Sequence, residues 1–322
     1  MKRLLLGWLL LLLGIGCLTQ SQAFWQSRDS NYNNSSGYRG PGNIVSGAFA
    51  AWPLRAYNSA ARGNKVINVC NVSDVACADL SSDPTTGQLV ISAIGGSSCS
   101  VITCTIKTWY DQSGATNCGG SACDMSQATI ASRPTLVVSC INSLPCAAFS
   151  GTQFMATAAN IGAFSATATF SSVSIRTASF TSNQDIISIA STVGVGLNLN
   201  YRSVGNTLQM YAGTAAATVG NITDNNFHVL QAVYNDTSSV LFCGGTTGTN
   251  CSSGGTSNSI SPGNVGSGSS AIFCMGMQSA TAACSGNGLS GEITEILIYT
   301  SAFSGTNQTN MNSNQYNFWG PF

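Results

Sequence analysis

Twelve of the thirteen cysteines fall into six close pairs, and no other feature limits the fold as tightly. They are Cys70 and Cys77, Cys99 and Cys104, Cys118 and Cys123, Cys140 and Cys146, Cys243 and Cys251, and Cys274 and Cys284. At most nine residues separate the members of any pair. That spacing suggests local staples, each worth roughly 2–3 kcal/mol in the chain-entropy account. Twelve cysteines allow a very large number of pairings, so spacing alone leaves the connectivity open. Zinc is the competing use, but structural zinc needs pairs of the Cys-x2-Cys kind in register, and none is present.

Disulfides require an oxidising compartment, and the N-terminus supplies the route to one. Lys2 and Arg3 precede an apolar run over residues 4–15 and a small-residue site, Ser21-Gln22-Ala23. This is the pattern of a signal peptide over residues 1–23, so the expected location is secreted, periplasmic or cell surface. The run is too short to span a bilayer, and no later segment is apolar for long enough. Cys17 follows Gly14-Ile15-Gly16, a poor lipoprotein site because Gly14 stands where leucine is usual.

With Lys2 and Arg3 removed, nine basic residues face eleven acidic ones, and none is basic beyond Arg202. A nucleic-acid partner needs clustered cations and is excluded. Charged residues make up 7% of the chain and hydrophobic ones 43%, enough for a core.

Residues 24–46 read as a flexible polar leader, and residues 47–322 as one domain. A short helix is expected over residues 47–61, with Pro53 in its first turn and Gly63 ending it. Strands are expected at 66–72, 89–94, 101–110, 135–138, 147–149, 166–176 and 186–189. Further strands are expected at 197–201, 207–212, 227–234, 240–242, 271–277 and 293–299, and a last helix within 303–316. Many short strands between turn signals mean an all-β protein, an antiparallel β-sandwich or jelly roll with short peripheral helices, stapled by disulfides. A monomer is expected.

The stretch from Cys99 to Gly114 is the most distinctive. It holds two cysteines a short loop apart, a β-branched run, and then Trp109-Tyr110-Asp111-Gln112-Ser113-Gly114. Asp, Ser and Gly after such a run mark a strand entering a tight turn. This stretch resembles the start of the catalytic domain of the α-L-arabinofuranosidase B family, a secreted concanavalin A-like sandwich. Residues 50–57, with Leu54 and Arg55, and residues 288–299 resemble further parts of it, the likeness covering roughly residues 47 to 316. The resemblance implies glycoside hydrolysis of, or binding to, arabinofuranosyl-bearing polysaccharide.

Hydrolysis usually takes two carboxyl groups across the scissile bond. The resemblance places the nucleophile near residues 197–213, where there is no Asp or Glu, and the acid where Met277, Gln278 and Ser279 stand. The family's vicinal cysteine pair is missing as well. Neither catalytic residue carries over, so an enzyme here would recruit Glu292, Glu295, Asp111 or Asp185. Alternation puts Glu295 on the face of Ile293, Leu297 and Tyr299. Trp109, Asp111 and Gln112 are the candidate sugar contacts, against a plainer reading as core and turn residues. His228, the only histidine, reads as a packed strand residue. No cofactor or metal is expected; Asp74, Asp79 and Asp83 cluster, and a structural calcium is the alternative there, but their spacing fits no defined calcium loop and they read as a solvated loop. The alternative to the family reading is a non-catalytic, lectin-like or adhesion module, which the scarcity of carboxylates favours.

Overall fold

The computed structural model describes residues 37–94, 104–158, 161, 167–177, 182–192, 195–212, 215–219, 226–235, 239–244, 256–258, 271–280 and 283–320. The expected signal peptide over residues 1–23, the expected leader up to residue 36, Cys99 and Cys251 lie outside them.

Two-residue periodicity and β-branched content become twenty strands among the described residues. The first eight are β1 (Ala50–Pro53), β2 (Lys65–Cys70), β3 (Cys77–Ser81), β4 (Thr105–Trp109), β5 (Met125–Ser126), β6 (Thr135–Ile141), β7 (Leu144–Ser150) and β8 (Met155–Thr157). Long strands follow as β9 (Thr167–Arg176), β10 (Gln184–Thr192), β11 (Val195–Arg202), β12 (Thr207–Ala212), β13 (Ala215–Val219), β14 (His228–Asn235) and β15 (Ser239–Gly244). The set ends with β16 (Thr256–Asn258), β17 (Ile272–Met275), β18 (Ser279–Ala280), β19 (Ala283–Cys284) and β20 (Ser290–Tyr299), before a helix α1 (Gly305–Trp319).

The pairings, all antiparallel, form two layers. The front sheet runs β13–β12–β11–β10–β17–β8–β5–β4–β2–β3. The back sheet runs β6–β7–β20–β9–β14–β15–β16, with β1 continuing the edge of β20 that β7 begins. The layers join where Thr105 of β4 pairs Thr135 of β6, and β13 lies beside β15 and β16 at the far side. Between them sits the core, with Trp52, Trp109, Phe170, Phe273 and Tyr201 fully buried or nearly so. Two hydrogen bonds cross it: Tyr234 donates to the Asn198 carbonyl at 2.7 Å, and the Ser174 and Tyr201 hydroxyls meet at 3.2 Å. This is the expected all-β sandwich.

Four of the expected bridges are present: Cys70–Cys77, Cys118–Cys123, Cys140–Cys146 and Cys274–Cys284. Cys104 is also disulfide-bonded, and the expected Cys99–Cys104 and Cys243–Cys251 bridges each include a residue outside those described. The hairpin β6–β7 turns through Asn142 and Ser143, both at positive φ (50° and 64°), as a two-residue turn matched to strand twist requires.

Four sequence expectations are corrected. Residues 47–61 form no α-helix; Ala50–Pro53 pairs with β20, and only Ser59–Ala61 makes a 3-10 turn. An all-buried run with Trp52 and Leu54 gains more from a sheet slot than its helix propensity offers. Residues 89–94 are a bridge and a 3-10 turn, Ile91–Ala93, not a strand. Within the leader, residues 37–46 are ordered, since Tyr38 is buried and bonds the Ala56 carbonyl. Finally, a bulge between Ile293 and Glu295 turns Ile293 into the core and leaves Glu295 on the outer face with Leu297 and Tyr299. The last helix is found, longer than expected and capped by Ser304, whose hydroxyl accepts from the Asn307 N–H. No helix among the described residues is long and apolar enough to cross a membrane.

Candidate functional site

The motif at residues 109–114 is a backbone clamp. Asp111 Oδ1 accepts from the Ala51 and Ser113 N–H groups, each at 2.9 Å, and Oδ2 from the Cys123 N–H and the Ser113 hydroxyl, each at 3.0 Å. Gln112 donates to the Pro53 and Arg55 carbonyls and accepts from the Tyr57 N–H, so its amide is spent on the same N-terminal segment. Gly114 takes φ +76° to close the turn. Trp109 is fully buried in the core and presents no face to a ligand. Its neighbour Tyr110 points outward and bonds Asp79. The Asp111 N–H donates to Asp124, whose carboxyl is raised by burial.

The two glutamates separate. Glu295 has no exposed surface; Arg55 binds both its oxygens at 2.6 and 3.1 Å, with Gln315 and Trp319 of α1 donating at 3.1 and 2.9 Å. The Arg55 guanidinium lies 4.4 Å over the Phe318 ring. Glu295 thus joins β20, the segment after β1 and α1. Glu292 is half-buried, its carboxyl raised by burial, with one oxygen 3.1 Å from Cys140 Sγ of the Cys140–Cys146 bridge. His228 is buried in register with Ser174.

Asp74, Asp79 and Asp83 do not converge. Asp74 is gripped by Arg133 and Lys107, which hold its carboxyl at about 2. Burial works against Asp79, but Lys65, Asn68 and Tyr110 keep it below the usual range. Asp83 caps its own turn through the Thr86 and Thr85 N–H groups, which lower it too. Arg133 is buried, and Asp74 is its counter-charge. A depressed carboxyl contributes stability above its unfolded value, about 3.8, that is lost as pH falls towards 2. Thermal melts over that window should show an acid-side loss of stability that Asp74→Asn flattens, the variant being less stable at neutral pH.

Asp185 lies elsewhere. On β11 the odd positions Leu197, Leu199 and Tyr201 face the core, so Asn198 and Asn200 face outward. Register then assembles two rows on the outer face of the front sheet. One is Asp185–Asn200–Gln209–Thr218, the other Ser188–Asn198–Tyr211–Ala216, each running from β10 to β13. The rows grade from closed to open. Asp185, Asn200 and Asn198 are 0%, 2% and 8% exposed, Tyr211 and Thr218 are half-buried, and Ala216 is exposed. Asn200 donates to Asp185 Oδ1 at 3.3 Å. Burial pushes the Asp185 carboxyl up to about 7, against the pull of Asn200, Asn287 and Asn198.

The loop between β17 and β20 closes this end. The Asp185 N–H donates to the Asn287 carbonyl, Asn287 Nδ2 donates to Gln278 Oε1 at 3.1 Å, and Ser188 Oγ accepts from the Ser279 N–H at 2.6 Å. The two places where the resemblance puts a nucleophile and an acid, residues 197–213 and 277–279, therefore meet on one face, with amides and a tyrosine in them. Of the four acidic candidates only Asp185 is there. Sequence reasoning missed Asn198, Asn200, Gln209 and Tyr211, although two asparagines two apart in an apolar strand were a visible signal.

No protein-family model matches the chain, and no curated protein matches it. Solved structures do. An arabinofuranosidase complexed with arabinofuranosyl-α-1,2-xylobiose superposes with a TM-score of 0.63 at 16% identity, covering 86% of this chain and 64% of that one. A GH54 α-L-arabinofuranosidase soaked with a cyclic sulfate inhibitor gives 0.61 at 16% identity over the same shares. The chain spans just under two thirds of those enzymes' length, and the likeness establishes a glycoside hydrolase-like β-sandwich fold.

Proposed function

We propose that the protein is an exported carbohydrate-binding sandwich that takes arabinofuranosyl-bearing polysaccharide on the outer face of its front sheet. The observation that carries the reading is the meeting of Asn198, Asn200, Gln209 and Tyr211 on one graded face above Asp185. Amide side chains offer both donors and acceptors to sugar hydroxyls, and a half-buried tyrosine gives a ring face with a polar edge. Binding is favoured over hydrolysis because Asp185 has no second carboxylate acting on it among the described residues. An inverting or retaining pair needs two such groups within about 10 Å.

One observation favours a second reading, hydrolysis with Asp185 as the acid: its carboxyl stands at about 7, in the range an acid catalyst uses. Calorimetric titration with arabinan and arabinoxylan oligosaccharides, beside release of 4-nitrophenol from 4-nitrophenyl α-L-arabinofuranoside, separates the two. Binding without turnover is expected, with Tyr211→Ala weakening affinity about tenfold or more, the scale of one lost aromatic contact. Turnover abolished by Asp185→Asn would establish the second reading. Absence of binding to any oligosaccharide would sink both.

A further inference from the structure

The hairpin between β2 and β3 is closed at its base by the Cys70–Cys77 bridge and carries Asn71-Val72-Ser73 at its start. Asn-x-Ser is the acceptor pattern for an N-linked glycan, and it has chemical force only on an accessible turn of an exported chain. Here the turn is accessible. Val72, Ser73 and Val75 are exposed, and Asn71 is half-buried.

The two ends of the Asn71 amide have different fates. Its oxygen accepts from the Ser73 hydroxyl and the Val75 N–H, each at 3.1 Å, and from the Ala76 N–H at 3.5 Å. Its nitrogen donates to nothing among the described residues. A glycan is attached through that nitrogen and leaves the carbonyl oxygen an acceptor, so every bond that shapes the turn survives modification. The Ser73 hydroxyl, which the pattern requires, lies against the amide it must accompany. The tip is also braced, since Asp74, at φ +58°, is held by Arg133 at 2.8 Å and Lys107 at 3.2 Å.

Two further observations single out this turn. Val72 and Val75 are 62% and 84% exposed, and with Val204 they are the exposed large hydrophobic residues among those described. A hydrophilic glycan rooted at Asn71 covers apolar surface that the fold leaves in water. The other such tripeptide lying wholly within the described residues is Asn307-Gln308-Thr309. It sits inside α1, with the Thr309 hydroxyl turned away to the Gly305 carbonyl at 2.9 Å.

We propose that Asn71 is the acceptor of an N-linked glycan, donated by an oligosaccharide carried on a polyprenyl pyrophosphate. Asn71 Nδ2 attacks the anomeric carbon, and the N–C bond forms as the C–O bond to the pyrophosphate breaks. The pyrophosphate leaves with the bonding pair, and Nδ2 gives up one proton. The proposal rests on the export of the chain and is independent of sugar binding at the front sheet.

The test expresses the full chain with its own N-terminus in a eukaryotic secretory cell. Protein from the medium is mapped by peptide mass spectrometry before and after enzymatic release of N-linked glycans. Asn71 should be recovered as aspartate after release, the signature of a glycan lost from that nitrogen. Asn71→Gln should lose the glycan from this peptide. Ser73→Ala should lose it too while keeping the bond from Val75 to Asn71, and it decides the matter should Asn71→Gln misfold. Secreted protein with Asn71 unmodified would overturn the proposal, as would a glycan there that Ser73→Ala leaves in place. A chain retained in the cytosol would overturn export and this proposal with it, leaving sugar binding to its own titration.

Discussion

Replacing Glu295 by alanine should lower the free energy of unfolding by about 3–5 kcal/mol, the usual result of stranding one member of a buried ion pair. Arg55 and Glu295 have no exposed side-chain surface, and their shortest contact is 2.6 Å. Removing the carboxylate leaves a guanidinium in the interior and frees the Gln315 and Trp319 donors that hold α1 to the back sheet. Glu295→Gln keeps the shape but still leaves the Arg55 charge uncompensated, so it should fall close behind. The double variant Arg55→Met/Glu295→Leu removes both charges and should recover much of the loss. Denaturant unfolding measures all three, with a lower midpoint at unchanged slope as the expected signature. A loss under about 1 kcal/mol for Glu295→Ala would mean the pair is solvated and the account of α1 is mistaken.

Asp111→Ala should cost about 3 kcal/mol, because three backbone N–H groups lose a charged acceptor at once. Those groups belong to Ala51, Ser113 and Cys123, so the damage spreads to β1 and the Cys118–Cys123 loop. Water replaces part of the loss, since Asp111 is only half-buried. Amide exchange should show Ala51 losing protection in the variant while β14 keeps it. A variant as stable as wild type, with sugar binding gone, would return Asp111 to the role of ligand contact.

Sequence pattern and structure agree where local chemistry decides the outcome. Period-2 alternation located β9, β11 and β12, and the short cysteine spacings forecast the four described bridges. The polar run within residues 303–316 marked α1. Disagreement falls where tertiary contacts decide. Residues 50–53 look helical in isolation, and only the open edge of β20 makes them a strand. The bulge after Ile293 has no signature in Gly-Glu-Ile-Thr-Glu-Ile, yet it sends Ile293 and Glu295 to opposite faces. Trp109 and Tyr110 were legible as one inward and one outward residue, but not which was which.

The candidate site was legible only in pieces. A search for carboxylates finds Asp185 but passes over Asn198, Asn200 and Gln209, because amides carry no charge and titrate nothing. Register brings them together: β10 and β11 are joined by a hairpin, whereas the loop holding Gln278 and Asn287 comes from some eighty residues further along the chain. Such a juxtaposition belongs to topology.

The most direct measurement is a crystal structure of the protein with a bound arabino-oligosaccharide, collected at a concentration that saturates binding in solution. The sugar is expected on the outer face of the front sheet, a ring against Tyr211 and hydroxyls on Asn198 and Gln209. Sugar bound instead beside Asp111, or along the back sheet near Glu292, would contradict it.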